Sequence, residues 1–124
     1  MCLLEEVLQW DENAIACRAQ SHRDPANPLR SRGGLSAIIG VEYAAQAVAV
    51  HGALTTKASA AKGGFLAAVR DVVCRTERLD LEPGDLTVHA TKVAAESGRL
   101  LYDFRIEGGG GELLKGRLSV VVSE

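Results

Sequence analysis

Positive charge and cysteine are scarce where several familiar chemistries would need them. Fourteen Lys and Arg stand against sixteen Asp and Glu, for a net charge of −2. That balance excludes a protein whose binding rests on contacts to nucleic-acid phosphates. The cysteines Cys2, Cys17 and Cys74 are odd in number and far apart. They fit reduced thiols in the cytoplasm rather than a disulfide framework. Neither they nor His22, His51 and His89 fall at a zinc-ligand spacing, and no metal or other cofactor is expected. The start, Met1-Cys2-Leu3-Leu4-Glu5-Glu6, has no basic stretch, so no signal peptide is expected. Gly108–Gly111 is followed by neither a helix pattern nor a Lys-Ser/Thr pair, which excludes a phosphate loop. His22-Arg23-Asp24 has Leu29 where a kinase catalytic loop carries Asn, and Ser21, His22 and Asp24 are too close in sequence to be read as a triad.

What is present begins with a stretch free of Lys and Arg, from Gly33 to Leu54. It reads as a helix from Ser36 to Leu54, roughly 28 Å long, with Ser36 as N-cap. It is apolar nearly all round, which predicts burial on most sides. Its length suits a bilayer, but Ser36, Glu42, Gln46 and His51 interrupt it and no basic anchors flank it. A core helix is expected, with no membrane span. Glu42 and Gln46 lie one turn apart on it. A carboxylate in an apolar helix is costly unless it is paired or protonated, so Glu42 needs a reason.

Around the helix, Leu3, Leu4, Val7 and Leu8 recur at helical spacing and predict a short helix up to Trp10. Ala14 to Gln20 alternates as a strand. Ser21 to Gly34 is a loop carrying His22, Arg23, Asp24, Arg30 and Arg32. Lys57 to Gly64 reads as a polar connection. Strands are expected over Phe65–Leu79, Leu86–Ala95, Arg99–Glu107 and Leu113–Val122, joined by tight turns. The prediction is one α+β domain over 1–124, an antiparallel sheet wrapped around one long helix. A chain of this size buries only about two-thirds of its unfolded surface, so a dimer is expected, with the long Phe65–Leu79 strand as the interface edge.

Two constellations can carry chemistry. His22 can act as a base near neutrality, and a shielded Glu42 can hold a proton and act as an acid. The plainer alternative is a solvated loop histidine and a helix glutamate paired to an arginine, and composition alone favours it. Arg18, Arg23, Arg30 and Arg32 gather near the loop, with Asp24 opposing them. They are either a solvated loop or a docking patch for an acidic partner or a phosphate.

Ser21-His22-Arg23-Asp24-Pro25 and Glu42-Tyr43-Ala44-Ala45-Gln46, with Gly64-Phe65-Leu66-Ala67-Ala68-Val69 and Pro83-Gly84-Asp85-Leu86, resemble the 3-hydroxyacyl-ACP dehydratases of the hotdog fold. They are most similar to the small dehydratases of aryl-polyene gene clusters. Two departures are visible: the separation from His to Glu is longer than usual, and Ser36-Ala37 stands where the family has Pro-Gly. The resemblance implies a hotdog fold and conversion of a 3-hydroxyacyl thioester on acyl carrier protein to the trans-2-enoyl thioester. It implies that His22 removes the α-proton and that a helix-entry amide near Ala37 polarises the carbonyl. It implies that Glu42 protonates the leaving hydroxyl, and Gln46 is expected to orient Glu42 or the substrate. The same resemblance implies that His and Glu come from different subunits of a homodimer, or of a heterodimer with a related dehydratase. The partner it implies is a carrier bearing a phosphopantetheine-linked chain, which Arg23, Arg30 and Arg32 are expected to help receive. Two other readings stay open: a hotdog acyl thioesterase whose helix carboxylate activates water, and a non-catalytic partner of a sister dehydratase.

Overall fold

The computed structural model describes residues 3–55, 64–96 and 98–122. Six strands form one sheet: β1 (Glu6–Trp10), β2 (Ala14–Ala19), β3 (Gly64–Cys74), β4 (Leu86–Glu96), β5 (Arg99–Gly108) and β6 (Gly111–Val122). Their order is β1-β2-β4-β5-β6-β3, with every neighbouring pair antiparallel. The helix α1 (Gly40–Thr55) lies across β2, β4 and β5.

Period-two alternation makes this sheet two-faced. Leu86, Val88 and Ala90 of β4, Tyr102, Phe104 and Ile106 of β5, and Leu114 and Leu118 of β6 are buried. Between them Asp103 and Arg105 are exposed. Helix α1 supplies Val41, Tyr43, Ala44, Ala47, Val48 and His51 to the same core. Its small residues let the backbone come close. A Cβ on Gly40 would sit 2.8 Å from both methyls of Leu114, so the helix start tolerates no side chain there.

Several expectations need correction. The N-terminal segment is strand β1 rather than a helix. Leu3 is buried, but Val7 and Leu8 are exposed on an edge strand, so their helical spacing reflects no helical core face. The four later strands are not four consecutive hairpins, because β3 lies at the sheet edge beside β6 while β2 pairs with β4. The long third strand ends at Cys74 rather than Leu79. Beyond it, Glu77–Leu79 crosses to the helix entry: Ala37 N–H donates to Glu77 O (2.9 Å) and Leu79 N–H to Leu35 O (2.8 Å). That crossing is what a hairpin turn could not accommodate.

The helix departs from expectation in two ways. A 3₁₀ turn, Ala37–Ile39, precedes α1, and the Ser36 hydroxyl makes no capping bond. The helix is also exposed along one stripe, Ile38, Glu42, Ala49 and Ala53, with its other sides buried or half-buried. The run Ala37–Thr55 is long and apolar enough to cross a bilayer by length and composition, yet its opposite face packs on the sheet. The connection expected over Lys57–Gly64 lies outside the described residues up to position 63, and Gly64 opens β3.

Candidate active site

The loop after β2 is built from successive turns. Ser21–Arg23 forms a 3₁₀ turn. Asp24 Oδ1 accepts from Ala26 N–H (2.8 Å), and Asn27 N–H donates to Asp24 O (3.0 Å). These short-range bonds, natural to Asp and Asn, give a Pro-containing segment a definite shape without helix or strand.

That shape places His22 inside the protein with no exposed surface. Its Nε2 lies 3.1 Å from Glu82 O and 3.0 Å from Gly84 O. Carbonyl oxygens only accept, so Nε2 carries the proton and donates to both. Nδ1 is then the ring's lone-pair nitrogen. It is buried and has no hydrogen-bond partner among the described residues. Burial holds the His22 pKa below the ordinary value; the two carbonyl bonds pull weakly the other way. The ring is therefore held neutral with one basic nitrogen unpartnered, the state a general base needs before it takes a proton.

Beside it lies a polar network that the sequence reading missed. Ser21 Oγ donates to Leu3 O (2.8 Å) and accepts from Tyr43 O–H (2.8 Å). Asn27 Nδ2 donates to the Tyr43 oxygen (3.2 Å) and to Ser21 O (3.0 Å). Tyr43, wholly buried, thus ties helix α1 to the turn carrying His22. The signal for it lay in the Glu42-Tyr43 pair: neighbours on a helix point about 100° apart, so an inward Tyr43 turns Glu42 outward. Glu42 is exposed. The cost of burying its carboxylate, which singled it out in the sequence, is not incurred in one chain alone.

The remaining predicted site residues are placed as follows. The Ala37 amide is committed to Glu77 O and is not the free carbonyl-polarising donor expected. In the same turn Ile39 N–H donates to Ser36 O, and the Ile38 amide makes no backbone hydrogen bond among the described residues. Gln46 Oε1 accepts from Leu3 N–H (2.7 Å), fastening the N-terminal segment to the helix. Arg23 donates to Pro83 O (2.9 Å) and pairs with Asp85 (2.6 Å). Arg18 bridges Glu6 (2.7 Å) and Asp85 (3.1 Å). Arg30 faces Asp80 (3.4 Å) and donates to His22 O (3.3 Å). Arg32 is exposed. The arginines are thus opposed by Glu6, Asp80 and Asp85 and not by Asp24 alone, and the charge left outward is smaller than the sequence implied.

Other candidates resolve into structure. His51 is buried between the Tyr102 hydroxyl (2.6 Å) and Asp11 O (2.7 Å), and His89 pairs with Glu107 (2.9 Å). Cys17 and Cys74 are free, and burial pushes the Cys17 thiol up to about 11, which makes it a poor nucleophile. No group of His, Cys, Asp and Glu among the described residues could hold a metal ion.

The fold is shared by solved structures of two activities. A chain of the dehydratase heterocomplex ApeI:P from Xenorhabdus doucetiae superposes with a TM-score of 0.86 at 23% identity, covering 99% of this chain and 84% of that one. A mutant thioesterase from Pseudomonas aeruginosa gives 0.67 at 16% identity over 94% and 79% of the two chains. A thioesterase from Haemophilus influenzae gives 0.69 at 15% over 94% and 76%. These likenesses establish a hotdog fold, as the sequence motifs implied. No curated protein matches the sequence. A family model described as ApeP dehydratase, however, matches residues 1–124. Fold alone does not separate dehydratase from thioesterase; the match along the whole length shows the family, and this chain belongs to the ApeP-like dehydratase family.

Proposed function

We propose that the protein dehydrates a 3-hydroxyacyl thioester carried on acyl carrier protein, and that His22 is its base. The observation that carries this reading is the buried His22 ring, with Nε2–H held by two carbonyls and Nδ1 unpartnered. Nδ1 takes the α-proton, and the electron pair left on carbon moves into the new double bond. The β-hydroxyl departs as water with a proton from Glu42. Charge growing on the thioester oxygen needs a donor. In this helix entry that role falls to the Ile38 amide, since Ala37 is occupied.

The acid that meets His22 is drawn from another subunit. Glu42 faces solvent on a stripe with Ile38, Ala49 and Ala53, while His22 is buried in the turn that Tyr43 ties to the helix through Ser21. A partner brought against that stripe would pair each chain's glutamate with the other's histidine. The β3 edge, with Val69 and Val73 exposed, has unpaired backbone groups to offer such a partner. The partner is a related dehydratase or a second copy, and similarity to a chain of the ApeI:P heterocomplex supports the former. Carrier docking falls chiefly to Arg32, with Arg23 and Arg30 contributing through charge left over from Asp85 and Asp80.

The test is to incubate the purified protein, alone and with a related dehydratase, with 3-hydroxyacyl-ACP and to follow the acyl group by mass spectrometry. Loss of one water, abolished by His22→Ala, is the expected result. Release of carrier thiol without enoyl product would identify a thioesterase instead. Dehydration that His22→Ala in this chain leaves untouched would assign the chain a non-catalytic part.

A further inference from the structure

The loop bearing His22 is held from behind by one carboxylate. The Asp80 side chain is 4% exposed. Its Oδ1 accepts from Leu35 N–H (2.9 Å) and Arg78 Nε (3.1 Å), and its Oδ2 accepts from Arg78 Nη2 (2.6 Å) and faces Arg30 Nη1 (3.4 Å). Arg30 Nη2 in turn donates to His22 O (3.3 Å). Leu35 lies just ahead of the helix-entry turn that contains the Ile38 amide. Asp80 therefore contacts the helix entry directly and the histidine turn through Arg30. The residues after it complete the grip: Glu82 O and Gly84 O hold His22 Nε2–H, and Pro83 O holds Arg23.

The fold gives up freedom to keep this arrangement. Gly34, with φ +98°, lies against it, and a Cβ there would come within 2.5 Å of Asp80 Oδ2 and Arg78 Nη2. A glycine is needed both for its left-handed backbone and for the closeness of the ion pair. The Arg78 guanidinium beside Asp80 holds its carboxyl well below the usual carboxylate range, so the charge that Arg30 faces persists over the working range of pH.

We infer that Asp80 is a positioning residue, which acts through Arg30 and Leu35 to hold the base and the carbonyl-binding turn in one relative placement. In kinetic terms this rests on the dehydratase reading above; in structural terms it does not. Asn at this position can still accept from Leu35 N–H, but it presents an amide to the two guanidiniums and removes the charge they meet. The His22 turn should then loosen, and the ring should no longer be confined to one tautomer.

The experiment uses the protein with whatever partner it needs for activity and ¹⁵N-labelled histidine. Wild type should show His22 as a single Nε2–H tautomer, and Asp80→Asn a mixture. In the same samples kcat should fall by about 10- to 100-fold with KM little changed, the pattern of a misplaced group. Arg30→Gln should reproduce both effects, and the double variant should be no worse than the more impaired single one. If Asp80→Asn does not fold, Arg30→Gln alone decides. A His22 tautomer and kcat left as in wild type by either folded variant would overturn the inference. If wild type does not dehydrate, the functional reading fails while the tautomer comparison still decides the role of Asp80.

Discussion

His22 and His51 are both wholly buried, yet their rings are used differently. His51 donates from Nε2 to Asp11 O and accepts at Nδ1 from the Tyr102 hydroxyl, which burial keeps protonated up to about 12. Both nitrogens are spent, and the ring pins helix α1 to β5 and to the turn after β1. His22 also donates from Nε2, to two carbonyls, but its Nδ1 meets no partner. A buried polar atom without a partner costs about 1–3 kcal/mol. One buried histidine is thus satisfied at both nitrogens and the other at Nε2 alone. Burial is common to both rings; what separates them is the unpartnered Nδ1 of His22, which the proposed reading makes the base.

The sharpest way to break this comparison is to remove each ring. His22→Ala should lower the dehydration rate by about 10²–10⁴ while the protein stays folded. His51→Ala should leave the rate per folded molecule nearly unchanged but cost about 2–4 kcal/mol, read from urea unfolding, because it opens a cavity and orphans Tyr102. Glu42→Gln should match His22→Ala in rate to within about tenfold and change stability by less than about 0.5 kcal/mol, since the side chain is exposed.

The His22 ring also carries a pH dependence. Because burial depresses the His22 pKa, kcat/KM should begin to fall only below the ordinary histidine value of about 6.5. Unfolded His22 takes up its proton at a higher pH than folded His22. Within that window the unfolded state binds more protons, so stability is full above about 6.5 and declines as pH drops toward the folded value. Melting temperature against pH should show this decline, and His22→Gln should flatten it. Smaller effects lie further from the ring. Tyr43→Phe, which removes the link between Ser21 and Asn27, should cost about 1 kcal/mol and less than about tenfold in rate. Arg32→Glu should weaken carrier binding at low salt by about 1 kcal/mol or less, and the difference should shrink as salt is added.

Much of this contrast was legible in the chain, and the illegible parts have a common cause. Alternation located β2, β4, β5 and β6, and the apolar run located the helix to within a few residues. The N-terminal segment misled because Leu3, Leu4, Val7 and Leu8 satisfy a helical period by chance, while Leu3 and Leu4 meet the core and Val7 and Leu8 are exposed on β1. The place of β3 beside β6 depends on pairing across the chain, which local turn signals do not carry. The same holds at the site. His22 and Glu42 announce themselves by type, but the groups that define the His22 ring are backbone carbonyls of Glu82 and Gly84, whose side chains say nothing of that role. The basic loop looked uncompensated because Asp80 and Asp85 lie far along the sequence from Arg30 and Arg23. Glu42 drew notice through an expected burial that one chain does not provide.

The most direct test of the central claim observes the two rings together. Histidine-labelled protein, with a related dehydratase added, would be examined by ¹⁵N NMR near neutral pH before and after addition of a non-dehydratable 3-hydroxyacyl-carrier mimic. The account predicts that the His22 Nδ1 resonance moves as the open nitrogen meets the substrate, while both His51 nitrogens stay where they were. A His22 Nδ1 that is already protonated, or one that ignores the bound mimic, would contradict it.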